Sequence, residues 1–347
     1  MKQCVTEPSY RNAAMDETDA AYTEPVDYAE PEIDRAARRL DERPLRDRVA
    51  VRRQAYRRVA LLLVGYLGLL VGGIVLVDGA GVGSVPSLFV PGVLLAAFVF
   101  ETLDSASGMG FGTSLAPLLF AAGYAPLEVV PVLFLTETVT GLLAGALHHE
   151  FENVRFSVRP PLTDATKAVV LLAGAGILGT LLSIALTYLV VDVPATVIEG
   201  YVALLVIGMG VVGILRQFLP RERPYRPRRL AGFALLAGVN KGISGGGYGP
   251  VVTLGQIFAG VYEKTATAIT SLAEGVVSLV GALAYVGLFA AGFPVEYTLL
   301  PSLFTGAFLA AIVAPYLVRV LPGRVLEYLI PLYAFAIGAV ALAGLLA

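Results

Sequence analysis

Two polar breaks interrupt an otherwise apolar sequence, and they hold most of the residues able to do chemistry. The first reads Glu101-Thr102-Leu103-Asp104-Ser105-Ala106-Ser107-Gly108-Met109-Gly110-Phe111-Gly112. The second reads Asn240-Lys241-Gly242-Ile243-Ser244-Gly245-Gly246-Gly247-Tyr248-Gly249. Gly108, Gly110 and Gly112, like Gly245, Gly247 and Gly249, permit the turns and close backbone approach that the tip of a broken helix needs. A half-helix starting after such a break presents unpaired N–H groups and the positive end of its dipole, which favours an anion. Ser107, Thr113 and Ser244 add hydroxyl donors and Lys241 adds a full charge. Together these residues form the candidate binding set for a small anionic substrate. The competing reading is that small residues simply let helices pack tightly.

Ionisable residues inside apolar runs form the second constellation. A charge at bilayer depth costs roughly 2.5–3.5 kcal/mol on insertion scales, so such residues pair, line water or relay protons. Shifting the sequence by 137 positions superposes Asp104 on Lys241 and Glu137 on Glu274. The equivalence predicts an Asp104–Lys241 ion pair joining the two breaks. Glu137 and Glu274 each lie 25 residues past the last Gly of their own break, near the middle of the next span. They are the candidate proton-coupling carboxylates. The alternative is that they accept hydrogen bonds from the opposite break's backbone. Break carbonyls and a Glu also suit Na⁺, so a Na⁺-coupled carrier stays open.

Gly242-Ile243-Ser244-Gly245 fits the pattern of an intramembrane serine protease, but no His follows Ser244 to activate it. No catalytic residue is therefore assigned. His148 and His149 sit where a span ends and read as interfacial anchors, with pH sensing as the sharper alternative. With Cys4 and these two His as the whole Cys and His complement, no disulfide, no metal site and no cofactor is expected.

The elements that must position these residues follow from composition. Of 347 residues, 56% are apolar and 15% charged, against about 25% charged in a soluble domain. The first 58 residues hold 11 of the 21 Arg. The remainder falls into apolar runs of the length that crosses a bilayer, about 20 residues each. A soluble enzyme, a nucleic-acid binder and a secreted disulfide scaffold are thereby excluded. The prediction is an all-α polytopic membrane protein in the cell membrane, with the lipid bilayer as its solvent.

Full crossings are expected near 59–77, 127–148, 166–191, 197–215, 264–290, 297–318 and 325–346, with interrupted stretches at 90–122 and 230–259. Basic residues mark the cytoplasmic side. Arg52, Arg53, Arg57 and Arg58, then Arg155 and Arg159, then six Arg in 216–229, then Arg319 and Arg324 all fall inside only if both interrupted stretches dip in and return. Non-helical backbone at such depth is tolerated where it is buried in protein or lines a cavity. This places the N-terminus in the cytoplasm and the C-terminus outside.

At the 137-residue shift, positions 107–147 show ten identities, the Ser-Gly-x-Gly-aromatic-Gly run and the Glu pair among them. Each repeat then holds one re-entrant hairpin and three crossings, an odd number, so the second copy is inverted. Inverted repeats with broken helices meeting near the midplane build many secondary transporters. The predicted domains are a charged, largely disordered cytoplasmic tail at 1–58, an accessory helix at 59–78, and repeats at 90–215 and 230–346. Within the tail, 1–34 is acidic and reads as disordered. The Arg-rich 35–58 reads as an amphipathic helix on the membrane face. Glycine faces at Gly174/Gly179 and Gly208/Gly213 would permit a homodimer.

Gly108-Met109-Gly110-Phe111-Gly112-Thr113-Ser114-Leu115-Ala116-Pro117, the span ending at His148-His149 with Asn153-Val154 after it, and Ser244-Gly245-Gly246-Gly247-Tyr248-Gly249 resemble the sulfite exporter TauE/SafE family of membrane permeases. The likeness covers roughly 90–347. Departures are Glu152 where the family usually has Gly, the aromatics Phe111 and Tyr248 inside the Gly runs, and Pro250 beside the second break. The resemblance implies transport of small sulfur-containing anions such as sulfite or organosulfonates, driven by the proton gradient. The reading from another class is a non-transporting membrane scaffold or sensor that works through its charged tail; deletion of 1–58 separates the two.

The charge argument generates one test. Single cysteines at Ala125 and Gly83 should be labelled from the same side of the membrane. Labelling from opposite sides would sink the re-entrant topology.

Overall fold

The computed structural model describes residues 32–79, 89–108, 110–191, 194–216, 218 and 226–346. Every regular element among them is helical, as a bilayer requires of a chain that must satisfy its own backbone groups. After a single turn at Glu32–Asp34 come α1 (Arg35–Asp41), α2 (Leu45–Val49) and the long α3 (Arg53–Gly79). Then follow α4 (Pro91–Ser107), α5 (Phe111–Ala121), α6 (Pro126–Glu150), α7 (Asp164–Ala185, continued by a wider turn at Leu186–Val191) and α8 (Ala195–Arg216). The last five are α9 (Arg228–Ser244), α10 (Tyr248–Phe258), α11 (Glu263–Ala290), α12 (Leu300–Val320) and α13 (Gly323–Leu346).

Six helices are long and apolar enough to cross a membrane, at Arg53–Gly73, Pro126–Glu150, Asp164–Val191, Thr196–Leu215, Glu263–Ala290 and Leu300–Val320. They coincide with six of the seven expected crossings. The seventh falls in α13, whose apolar stretch Pro331–Val340 is shorter. Both interrupted stretches are helix, break and helix. Helices α4 and α9 have 17 residues each, and α5 and α10 have 11 each. Their bounds repeat at an offset of 137 residues.

Helices pack chiefly in the pairs α4–α12, α6–α11, α7–α9 and α8–α13. Glycine decides the closest of these. A Cβ at Gly141 of α6 would lie 2.8 Å from Gly275 Cα of α11, backbone on backbone. That approach matters because Glu137 stands one turn before Gly141 and Glu274 adjoins Gly275. Of the glycines expected on a dimer face, Gly179 is packed on α9 and Gly213 on Pro331 of α13, within the chain; Gly174 and Gly208 have open space. Helix α3 leans on α12 through Tyr66, whose ring stacks on Phe308 at 4.5 Å and whose hydroxyl donates to Thr305 at 2.6 Å. Its exposed Leu61, Val64, Leu67 and Val71 give it an apolar outer face.

The expectation of a largely disordered 1–58 does not hold for 32–58, and residues 1–31 lie outside the described set. Ile33, Ala37 and Leu40 recur at helical spacing and are buried, so the segment has an apolar stripe after all. It clasps the end of the molecule that carries the basic loops. Asp34 accepts the Tyr262 N–H at 3.0 Å, Lys264 donates to Asp41 at 2.5 Å, and Arg38 lies 4.9 Å over the Tyr262 ring. Arg319 of α12 donates to the carbonyls of Arg48 and Ala50 at 2.8 and 3.1 Å. Glu152 pairs with Arg43 and Arg52, both at 3.0 Å.

Burial pushes the Asp34 carboxyl up from 3.8 to about 6, against the Tyr262 and Thr265 hydrogen bonds and the charge of Arg38. The docked clasp therefore binds a proton that the released one does not. This contribution is fully present below about pH 4 and is lost as pH rises through about 6. A shift of about two units corresponds to at most about a hundredfold in the docking equilibrium. Hydrogen-exchange protection of residues 33–41, corrected for intrinsic rates, should fall by up to that factor between about pH 4 and pH 7. Asp34→Asn should flatten the dependence.

Candidate functional site

The site is built where the two breaks meet. Helix α4 ends on Gly108 at φ +66° and α9 on Gly245 at φ +74°. These left-handed turns swing the chain round to start α5 and α10. The two tips touch directly: Gly247 N–H donates to Thr113 Oγ1 at 2.7 Å, and Thr253 Oγ1 donates to the Gly108 carbonyl at 2.6 Å. A Cβ on Gly246 would lie 2.5 Å from Thr113 N. Met109 lies outside the described residues.

Lys241 is wholly buried. Its ammonium donates to Glu274 Oε1 at 2.8 Å and to Glu137 Oε2. It also lies 5.3 Å from the Phe134 ring centre and 5.9 Å from that of Tyr248. Glu137 Oε1 accepts the Gly112 N–H at 3.0 Å, so this carboxylate joins the lysine to the N-terminus of α5. Ser278 adds a longer hydrogen bond to Glu137 at 3.4 Å. The expected Asp104–Lys241 pair is therefore replaced. Among the described residues, Glu137 and Glu274 are the carboxylates paired with Lys241. Asp104 accepts the Gly110 N–H across its own break. The 137-residue equivalence relates positions in the two repeats; it does not bring their side chains into contact.

The donors assigned to a substrate are engaged with the protein. Ser107 donates to the Leu103 carbonyl, and Ser244 to the Asn240 carbonyl at 2.8 Å. Gly110 and Gly112 N–H groups hold Asp104 and Glu137. Gly108 and Gly245 N–H groups close the ends of α4 and α9 on the carbonyls of Asp104 and Lys241. Tyr248 and Gly249 open α10, with Gly249 against the backbone of Gly110. Asp104 and Glu137 thus each sit where a helix N-terminus favours negative charge.

Glu101 belongs to the first polar break, and its position in the sequence alone assigns it no role. It stands three residues before Asp104, on the same face of α4, and is 1% exposed. Ser105 donates to its Oε1 at 2.8 Å; its Oε2 has no hydrogen-bond partner among the described residues. Glu101, Asp104, Ser105, Glu137, Thr140 and Glu274 line one small cavity with room for about one water. Four buried carboxyl groups thus surround one space beside one ammonium. If all ionised, they would leave an excess of about three negative charges in a low dielectric, a cost no compact fold sustains.

His148 is also corrected. It is not an edge anchor but fully buried, with Nε2 3.2 Å from the Ser105 carbonyl and Nδ1 3.0 Å from Asn153 Nδ2. Asn153 in turn donates to the Pro315 carbonyl at 2.9 Å. His149 accepts the Phe156 N–H at 3.1 Å.

Residues 93–341 match the family described as Sulfite exporter TauE/SafE. The chain is 26% identical over 160 residues to the protein named "Probable membrane transporter protein YtnM" of Bacillus subtilis (strain 168), covering 44% of this chain and 49% of that protein. The chain thus spans about half the length of the curated relative it matches. No solved structure matches.

Removing one member of the Lys241 triad strands a buried charge. Lys241→Met should lower stability in detergent by about 3–5 kcal/mol. Adding Glu137→Gln and Glu274→Gln should restore most of that loss. A thermal-unfolding series in which the three changes simply add would contradict the triad.

Proposed function

The chain belongs to the sulfite exporter TauE/SafE family, and from that premise we propose that it is a secondary transporter of small, sulfur-containing anions such as sulfite or organosulfonates, coupled to protons. The observation that carries this reading is Lys241, buried between Glu137 and Glu274 at the start of α5. An ammonium, a half-helix N-terminus and carboxylates already bound to both form a competition site. An entering anion takes the place of a carboxylate on Lys241 and on the Gly112 N–H. The displaced carboxylate cannot stay ionised in that volume and takes up a proton. Anion and proton then move together, which reduces the charge carried through low dielectric.

In this reading Ser107, Gly108, Gly110, Gly112 and Thr113, with Lys241, Ser244, Gly245, Gly247 and Gly249, shape the site. The donors among them that the protein now occupies are released as the two breaks move apart. Glu137 and Glu274 are the coupling groups. The basic loops and the clasp face the cytoplasm. The two equivalent broken-helix units alternate access around the site in the manner of inverted repeats.

The test is flux in proteoliposomes with sulfite, sulfoacetate and thiosulfate, with a pH gradient, a Na⁺ gradient or neither. Sulfite or sulfoacetate flux should respond to the pH gradient. Glu137→Gln or Glu274→Gln, each mimicking the protonated form, should keep anion exchange while losing most of the pH-driven component. Full pH-driven flux in both variants would place coupling elsewhere. Flux that follows only the Na⁺ gradient would replace the proton with Na⁺.

A further inference from the structure

The four carboxyl groups round the cavity are not equivalent. Asp104 accepts a backbone N–H at the start of α5. Glu137 holds both Lys241 and the Gly112 N–H, and Glu274 holds Lys241. Each of these three has a positive charge or a helix N-terminus beside it. Glu101, which lines the cavity, has one neutral donor, the Ser105 hydroxyl, and one oxygen, Oε2, with no hydrogen-bond partner among the described residues.

Charges on the surrounding elements sharpen the contrast. Its own helix contributes Asp104; α6 contributes Glu137; α11 contributes Glu274. From α9, Lys241 is already shared by two carboxylates. Arg319 of α12 is engaged with the carbonyls of Arg48, Ala50 and Phe151. His148 has its two ring nitrogens opposite a carbonyl oxygen and an amide N–H group, the pattern of a neutral ring. A buried carboxylate with this surround is less stable than the protonated acid.

We propose that Glu101 is a separate proton-binding site that hands its proton across the cavity to Glu137 or Glu274 when an anion displaces that carboxylate from Lys241. The transfer conserves charge: the Glu101 acid becomes carboxylate as the displaced carboxylate becomes acid. The O–H bond at Glu101 Oε2 breaks, a new one forms at the acceptor, and one cavity water relays the proton. Glu101 is then reprotonated from the aqueous side open at that stage of the cycle. This role rests on the transport reading; the protonation of Glu101 at rest does not.

The experiment has two arms, both on the full chain. Infrared spectra of the purified protein at neutral pH should show a protonated-carboxyl C=O band, recognised by its shift in D₂O, which a lipid ester does not undergo. Glu101→Gln should abolish it. Ser105→Ala should move it in frequency, a change that mere loss of folding does not produce. Asp104→Asn should leave it in place. In the second arm, the proton-to-anion ratio with sulfite should fall by one in Glu101→Gln. A band that survives Glu101→Gln overturns the site whatever the flux. A band that behaves as expected in a protein that moves no anion overturns the hand-over and the transport reading, and leaves the resting proton on Glu101. An unchanged ratio overturns the hand-over alone.

Discussion

The architecture turns on the burial of one ammonium group. Lys241 has no exposure, and a lone cation at that depth is not sustained. Two carboxylates must reach it, and they come from helices in different halves of the chain. Their side chains are too short to bridge a wide gap, so α6 and α11 have to cross in backbone contact, which Gly141 and Gly275 allow. The broken helices follow from the same need. Only a chain that stops and restarts within the protein offers backbone N–H groups, such as that of Gly112, to share the load on Glu137.

The site presents a physical tension. A lining rich in carboxyl groups repels anions, while the family's description speaks of sulfite. The tension disappears if negative charge on the lining and negative charge on the substrate exclude one another. The acidic residues then make anion binding conditional on protonation, and the low dielectric that makes the arrangement costly also makes the exclusion strong.

Much of this was legible in the sequence. Hydropathy located six of the membrane-length helices, and the paired Gly-rich runs located both breaks with their flanking half-helices. Glu137 and Glu274 stood out because acids in long apolar runs are rare. The partner of Lys241 was not legible. Repeat arithmetic matches positions, whereas contact depends on how α6 and α11 cross. Glu101 was hidden by its nearness to Asp104, since two acids in one polar run read as one feature. The clasp was hidden by charge. Ten Arg in 35–58 outweighed three apolar residues at helical spacing, although those three decide which way the segment faces.

The clasp also separates two boundaries that are easily taken as one. Likeness to the family begins at residue 93, yet the segment from Glu32 to Ala50 lends side chains and carbonyls to α11 and α12, deep inside the matched region. A chain trimmed to the region of likeness would leave Lys264 without Asp41 and Arg319 without three of its carbonyl acceptors. The heritable unit and the folding unit therefore differ in extent. The helices that repeat are finished at one end by residues that do not.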